Sequence, residues 1–540
     1  MDCQHMVSRK AQNSNQKEQN DNAKKNGKNN SALFWKENNM DLMELMKKQT
    51  DRAMTLTQNG AGAYATSGSY LLDFSYMMSA LRDVRLNEFF DFYGKVWNED
   101  PMLAIKVAFY SGDIRSGMGE RRVFRRCMQY ICTWHPEIAK AIIRLVPEYN
   151  RWDSVLTFYR VEKTGSAAVE LIKNQLKEDI ENANNGRPIS LCAKWLPSVN
   201  ASSFKTVVLA KELADDLGMT ERRYRKLLSK LRSYLNIVEK KMSAREWSEI
   251  NYEAVPSRAN LLYSEAFYRN DRERRSEYLE DLAKGKKKIN SGVLFPHEIV
   301  GKTLGATFRK DDKALKLYES MWKALPDNGI SNTLVVRDGS GSMTANYGSS
   351  NTTPLDVASA LAIYLSEHNS GIWKDKFITF SRFPEIVDMH NCKSLAEKVR
   401  LVYGYDDYSN TDIYATMKLI LITAMTYDIP ESDMPKMILI LSDMQFDAHS
   451  HNFGGSLFDG IKREFEEAGY ELPTICFWNL ATEAYKTIPM QNNVILCSGF
   501  SPNIVNMIMS GDFKDPYDLL VDTLNGDRYK PVEDAVKGII

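Results

Sequence analysis

From about residue 326 the chain alternates short apolar runs with helical stretches, and that alternation limits the fold more than any other feature. The runs "NTLVVRD", "KFITFS", "EIVDM", "MILILSD", "TICFWNL" and "NVILCSG" have the length and β-rich content of strands. Between several of them, "PLDVASALAIYLSEH", "DIYATMKLILITAM" and "LFDGIKREFEEAG" carry helical spacing. Strands alternating with helices predict an α/β domain with a mostly parallel sheet. "EIVDM" is expected to pair back on "KFITFS" as an antiparallel edge.

The preceding chain has a different texture. Residues 1–31 are rich in Asn, Gln, Lys and Ser and nearly lack aromatic side chains. Such a segment cannot bury enough apolar surface to order itself, so a disordered, mildly basic arm is expected. Residues 32–325 read as helical throughout: apolar positions recur three and four apart in "VFRRCMQYI" and "LLSKLRSYLNIV", with breaks at "SGDIRSGMGE", "NNGRP", "LPS" and "FPHE". A dozen or so short helices in series favour a stack of helix pairs, a HEAT-like helical repeat, although no clean sequence repeat is visible. The expected organisation is therefore an arm over 1–31, a helical region over 32–325 and an α/β domain over 326–540.

At 540 residues the chain is too long for one core, and its 70 basic and 70 acidic residues cancel. Any contact with nucleic acid must then come from local patches. No apolar run is long enough to span a bilayer, so no membrane partner is expected. Seven cysteines without a C-x-x-C pair suggest reduced structural thiols in a cytoplasmic protein, the host's cytoplasm if phage-encoded.

The chemistry concentrates after the first apolar run. "LVVRDGSGSM" places Asp338, Ser340 and Ser342 at alternate positions directly behind a strand, where open α/β sheets bind ligands. Two later loops carry matching oxygens: Thr411 stands just ahead of a helix in "SNTDIYATM", and Asp443 follows the apolar strand in "ILILSDMQFD". Two carboxylates and three hydroxyls suit a hard divalent cation. Mg²⁺ takes roughly six oxygens and keeps several waters, and an open position could accept a partner's carboxylate. The plain alternative is that these side chains only cap helices and make turns.

This constellation resembles the metal-ion-dependent adhesion site of von Willebrand factor A (vWA) domains, over about 332–522. The resemblance implies a Rossmann-like vWA fold with Asp338, Ser340, Ser342, Thr411 and Asp443 as ligands, some through water, to Mg²⁺ or to Mn²⁺ or Ca²⁺. Arg337 departs from the apolar or small residue usual before the first aspartate.

In the helical region, "YSGDIRSGMGERRVFRR" joins a tight glycine loop to a helix bearing Arg121, Arg122, Arg125 and Arg126, with Arg115 in the loop. The pairs 121/125 and 122/126 each sit one turn apart and form a basic strip. Arginines so placed suit phosphates and can stack on bases, or they can pair with acids such as Glu120 or Asp113. "ERRYRKLLSKLR" offers Arg222, Arg223, Arg225 and Lys226 with tyrosines interleaved, again either an RNA-facing helix or a solvated face. With "EYNRWDSVL", "KWLPS", "SDMQFD" and "GFSPNIVNMIMSG", the layout resembles the TROVE/Ro architecture, and more closely a plant, microbial and phage family joining a TROVE-like region to a vWA domain. That resemblance implies a ribonucleoprotein component: an RNA-binding protein for small structured RNAs or single-stranded ends, held by helical repeats closed by the vWA domain, and a monomer.

No enzyme is expected. Asp443, Asp447, His449 and His451 cluster in "SDMQFDAHSH", but no zinc-protease histidine motif exists and "GSGSM" is not a serine-nucleophile motif. The rival to RNA binding is a metal-dependent protein–protein adaptor, in which the cation captures a partner's acidic residue and the arginine strip is dispensable.

Overall fold

The structure is a computed structural model that describes residues 54–56, 62–289, 291, 294–327, 330–347, 351–405, 411–446, 457–481, 488–489, 494–501, 504 and 515–540. The arm expected over 1–31 and the loop holding Asp447, His449 and His451 lie outside the described residues.

After two short strands, β1 (Met54–Leu56) and β2 (Gly62–Tyr64), the chain enters a series of helices. The first four are α1 (Tyr70–Tyr76), α2 (Leu86–Glu99), α3 (Pro101–Gly112) and α4 (Arg121–Trp134). Local caps fix two of the starts. Ser69 Oγ accepts the Leu72 N–H at 3.2 Å, and Asp100 accepts the Leu103 N–H at 2.9 Å with Pro101 in the first turn. From Leu103 to Gly112 every residue of α3 is buried, including Lys106, so α3 is the centre of this region. Helices continue to Asp312–Lys323, packing mainly on their neighbours in the chain, as expected of a stack.

The α/β domain follows. Its six-stranded sheet has the order β5-β4-β3-β6-β7-β9, where β3 is Thr333–Asp338, β4 Lys376–Phe380, β5 Ile386–Asp388, β6 Met437–Ser442, β7 Thr474–Asn479 and β9 Val494–Ser498. Every pairing is parallel except β4–β5, whose register Phe377↔Val387 is the antiparallel edge expected for "EIVDM". Strands β3 and β6 are buried at every position, the signature of a sheet covered on both faces. Strand β8 (Ile488–Pro489) pairs antiparallel with β2, away from the main sheet.

Residues 55–540 form one compact unit, and specific side chains tie the helical region to the rest. Asn479 Nδ2 donates to the Tyr76 carbonyl at 3.0 Å and Ser498 Oγ to the Ser75 carbonyl at 2.9 Å, so α1 sits over the carboxyl ends of β7 and β9. The C-terminal helices Pro516–Asn525 and Lys530–Val536 return to the helical region. Lys106 Nζ donates to Asn525 at 2.7 Å and to Glu533 at 2.6 Å, while Arg528 donates to the buried Asp113 at 2.7 Å. The six described cysteines are free, five of them buried. Among the described residues no helix is long and apolar enough to cross a membrane.

His297 lies at this junction, its ring 5.6 Å from that of Phe295 and 5.5 Å from that of Phe500, with Nδ1 unpartnered. Burial, then the charges of Arg82 and Arg258, hold its pKa down to about 3. The unfolded chain takes up this proton near the ordinary 6.5. The stabilisation is therefore present above about pH 6.5 and lost as pH falls from there toward 3. Melting temperature measured across that window should drop in the wild type, and H297Q should flatten the drop.

Candidate functional site: a five-oxygen loop cluster at the sheet switch point

Chain order reverses between β3 and β6: β4 lies on one side of β3, and the chain returns to β6 on the other. Open α/β sheets bind ligands at such a switch point, beyond the carboxyl ends of the strands. Asp338 ends β3, and Asp443 directly follows β6.

All five oxygen-bearing residues singled out in the sequence meet here. The Asp338 carboxylate accepts the Ser340 N–H at 2.8 Å and the Ser442 hydroxyl at 2.5 Å. Ser340 Oγ and Ser342 Oγ are 3.1 Å apart, and the Ser342 hydroxyl reaches Asp443. Asp443 accepts the Gln445 N–H at 3.2 Å, and Thr411 Oγ1 donates to the Gln445 carbonyl at 3.3 Å. Thr411 immediately precedes Asp412, the cap of the Ile413–Thr426 helix. Asp338 and Thr411 are almost wholly buried, and Asp443 is 7% exposed.

The electrostatics fit a cation. Burial raises both carboxyls above their usual range, and the Asp443 charge raises Asp338 further. Two buried acids facing one another are costly unless a positive charge lies between them. The donor set is all oxygen, as a hard divalent ion requires. Among the described residues no group of three or more His, Cys, Asp or Glu could hold a metal, so any ion here would depend on hydroxyls and water beside the two aspartates. Arg337 does not supply the charge. Successive strand residues point to opposite faces, and its guanidinium bonds Ser359 Oγ at 3.0 and 3.1 Å and the Tyr405 carbonyl at 3.1 Å.

The helical region forms one wall beside this site. Arg82 pairs with the buried Glu120 and lies 4.8 Å from the Tyr347 ring and 4.2 Å from the Phe500 ring. Tyr347 bonds the Leu480 carbonyl and lies within reach of the Asp443 charge. Arg82, Tyr347 and Phe500 were not singled out from sequence. No local signal marks them, because the loop at Glu120 meets them only through long-range packing.

That loop is fixed by glycine. A Cβ on Gly117 would stand 2.1 Å from the Tyr110 carbonyl oxygen, which is backbone and cannot move aside. G117A should cost roughly 3 kcal/mol, the upper end of ordinary over-packing. G301A, in the Pro296–Arg309 helix with open space around it, should instead stabilise by about 0.5–1 kcal/mol. Urea melts of the two variants check the contrast.

The arginines of α4 split between partners. Arg126 donates to the Leu81 and Val84 carbonyls at 2.9 and 2.6 Å, and Arg122 pairs with Asp83 at 2.6 Å. Arg125 pairs with Asp153 at 2.9 Å, and Arg115 with Glu148 at 3.1 Å. Arg121 stands beside Arg125 and Arg151; burial, then the Arg151 charge, holds its pKa down to about 10. Arg151 also shares Asp153 and stacks 3.8 Å from the Trp195 ring, so "EYNRWDSVL" and "KWLPS" converge on the start of α4. Asp113 and Glu120 pair with Arg528 and Arg82 and not with the strip.

The Glu221–Tyr234 helix is organised differently. Tyr224, Leu228 and Leu231 are buried, with Tyr224 Oη donating to the Pro197 carbonyl at 2.9 Å. Arg232 is spent on the Ala193 and Leu196 carbonyls and Ser198. Arg222, Arg223, Arg225 and Lys226 are exposed, and none forms an ion pair among the described residues; the one acid of the helix, Glu221, pairs with Lys211.

Residues 332–535 match the family described as Domain of unknown function (DUF7788), and residues 57–149 and 211–329 match Domain of unknown function (DUF2828). The uncharacterized protein L728 of Acanthamoeba polyphaga mimivirus is 31% identical over 522 residues, covering 89% of this chain and 88% of that protein. Among solved structures, the RO (RSR) protein of Deinococcus radiodurans aligns over 81% of this chain and 94% of its own at 14% identity, with a TM-score of 0.42, too low to carry a functional likeness.

Proposed function

The chain belongs to the family of the mimivirus protein L728, and from the site geometry we propose that it is an RNA-binding protein whose α/β domain is a divalent-cation docking module. The observation that carries the RNA half is the exposed face of Arg222, Arg223, Arg225 and Lys226. Arg222 and Arg223 lie in the first turn of their helix, where the helix dipole disfavours positive charge. These two, with Arg225 and Lys226 on the next turn, give four cations without an ion pair among the described residues, an arrangement that suits a phosphate backbone. Tyr234, 40% exposed on the last turn of the same helix, adds a ring on which a base can stack.

The cation half is supported by the paired buried carboxylates. Asp338 and Asp443 would hold Mg²⁺ with Ser340, Ser342 and Thr411, directly or through water, and the open position would take a carboxylate from a ligand. Such an ion supplies a fixed positive charge and a directional docking point; the chain's own hydroxyls orient it and the Tyr347 side limits access. The free thiols are in keeping with work in a cytoplasm, and no catalytic step is part of this reading.

A second reading is favoured by one observation: four of the five arginines around α4 are spent on internal partners. In that reading the protein is a cation-dependent adaptor without RNA. Fluorescence anisotropy with a short single-stranded RNA separates the two. The RNA reading expects binding that weakens steeply between about 50 and 200 mM salt. No binding at the lower salt leaves the adaptor.

A further inference from the structure

A cavity of about 410 Å³ lies in the helical region between the Ser264–Asn270, Arg272–Ala283 and Asp312–Lys323 helices, away from both sites above. Five of its lining residues are cations: Arg269, Arg272, Arg275, Arg309 and Lys313. Only two are acids, and both are engaged: Glu265 lies 3.7 Å from Arg309, and Asp311 caps the following helix by accepting the Ala314 N–H at 3.1 Å.

Arg275 is the unusual member. It is wholly buried, its Nη2 donates to Asn260 at 2.6 Å, and its Nε and Nη1 have no hydrogen-bond partner. Three rings surround the guanidinium, Tyr252 at 4.8 Å and Phe267 and Tyr278 at 5.3 Å, but no acid among the described residues pairs with it. A buried charge with unsatisfied donors is costly and calls for a counter-ion. At the mouth, Arg272 Nε and Lys313 Nζ both converge on the Tyr268 hydroxyl, each at 3.0 Å. Two cations gathered on one neutral oxygen repel each other and are poised for an anion. Both also lie in the first turns of twelve-residue helices, so two helix N-termini add their partial positive charge.

We propose that this cavity binds the phosphate group of a nucleotide-sized ligand, with Arg272 and Lys313 at the phosphate, Arg275 behind it and Tyr268 beside the base. The volume suits one nucleotide. Guanidinium and ammonium donors in this number fit a dianionic phosphate better than a single carboxylate. The phosphate can come from a free nucleotide or from the end of an RNA. The proposal does not rest on the Arg222 face or on the cation site.

Isothermal titration calorimetry of the full chain with adenosine monophosphate, adenosine and a 5′-phosphorylated RNA trimer tests it. Adenosine monophosphate or the trimer should bind, and adenosine should not. R272A/K313A, which alters only exposed side chains, should weaken that binding roughly tenfold or more. R275M should weaken it as well, provided the variant still melts cooperatively. Binding by the mononucleotide alone assigns a free nucleotide; binding by the trimer assigns an RNA end. Failure of both phosphorylated probes to bind, or binding unchanged in R272A/K313A, overturns the proposal. Loss of RNA binding in an Arg222-face variant leaves it untouched.

Discussion

Mg²⁺ should raise the melting temperature of the wild-type chain, and D338N should abolish that response. A ligand that binds only the folded state stabilises it by about 2.7 kcal/mol at a hundredfold excess over its Kd. The metal-free protein gives the variant a second signature. Asn keeps one oxygen to accept the Ser340 N–H and turns an amide N–H toward Ser442 Oγ, which can accept it, while removing one of two facing buried charges. Metal-free D338N should therefore be at least as stable as the metal-free wild type. Scanning calorimetry with chelator, Mg²⁺, Mn²⁺ and Ca²⁺ reads both effects. An equal Mg²⁺ response in wild type and D338N would place the ion elsewhere.

Replacing Arg222, Arg223, Arg225 and Lys226 together by Ala should weaken the proposed RNA binding about a hundredfold near 50 mM salt. Exposed ion pairs contribute about 0.7 kcal/mol each, and four of them sum to two decades in affinity. The salt dependence is the sharper diagnostic. On a single strand, each phosphate that is no longer neutralised lowers the slope of log K against log salt by about 0.7. For the quadruple variant the slope should thus fall by about 2.8, read by anisotropy over a salt series. The fold should survive, because these side chains form no ion pair among the described residues and Tyr224, Leu228 and Leu231 hold the helix. The same four substitutions leaving affinity and slope unchanged would remove this helix from the RNA reading.

The strand–helix alternation after residue 326 was legible because each strand and crossover announces itself locally. The antiparallel edge at Ile386–Asp388 and the convergence of Asp338, Ser340, Ser342, Thr411 and Asp443 followed from where loops must leave a parallel sheet. Long-range pairing was not legible. Nothing local in "YKPVEDAV" says that Glu533 meets Lys106, or that Arg528 meets Asp113. The α4 strip shows the same limit. Its one-turn spacing is visible in sequence, but whether Arg122 faces a phosphate or Asp83 depends on a loop 39 residues away. The proposed phosphate cavity was hidden for the same reason, since its cations come from four helices and look solvated one at a time.

Ultraviolet crosslinking of the full chain to RNA in cells, with mass spectrometry of the crosslinked peptides, shows whether the Glu221–Tyr234 helix touches RNA. RNA adducts are expected on peptides of the Glu221–Tyr234 helix and should be lost when Arg222, Arg223, Arg225 and Lys226 are replaced by Ala. No RNA adducts on the wild-type chain, or adducts that persist at full level in the variant, would contradict the RNA reading.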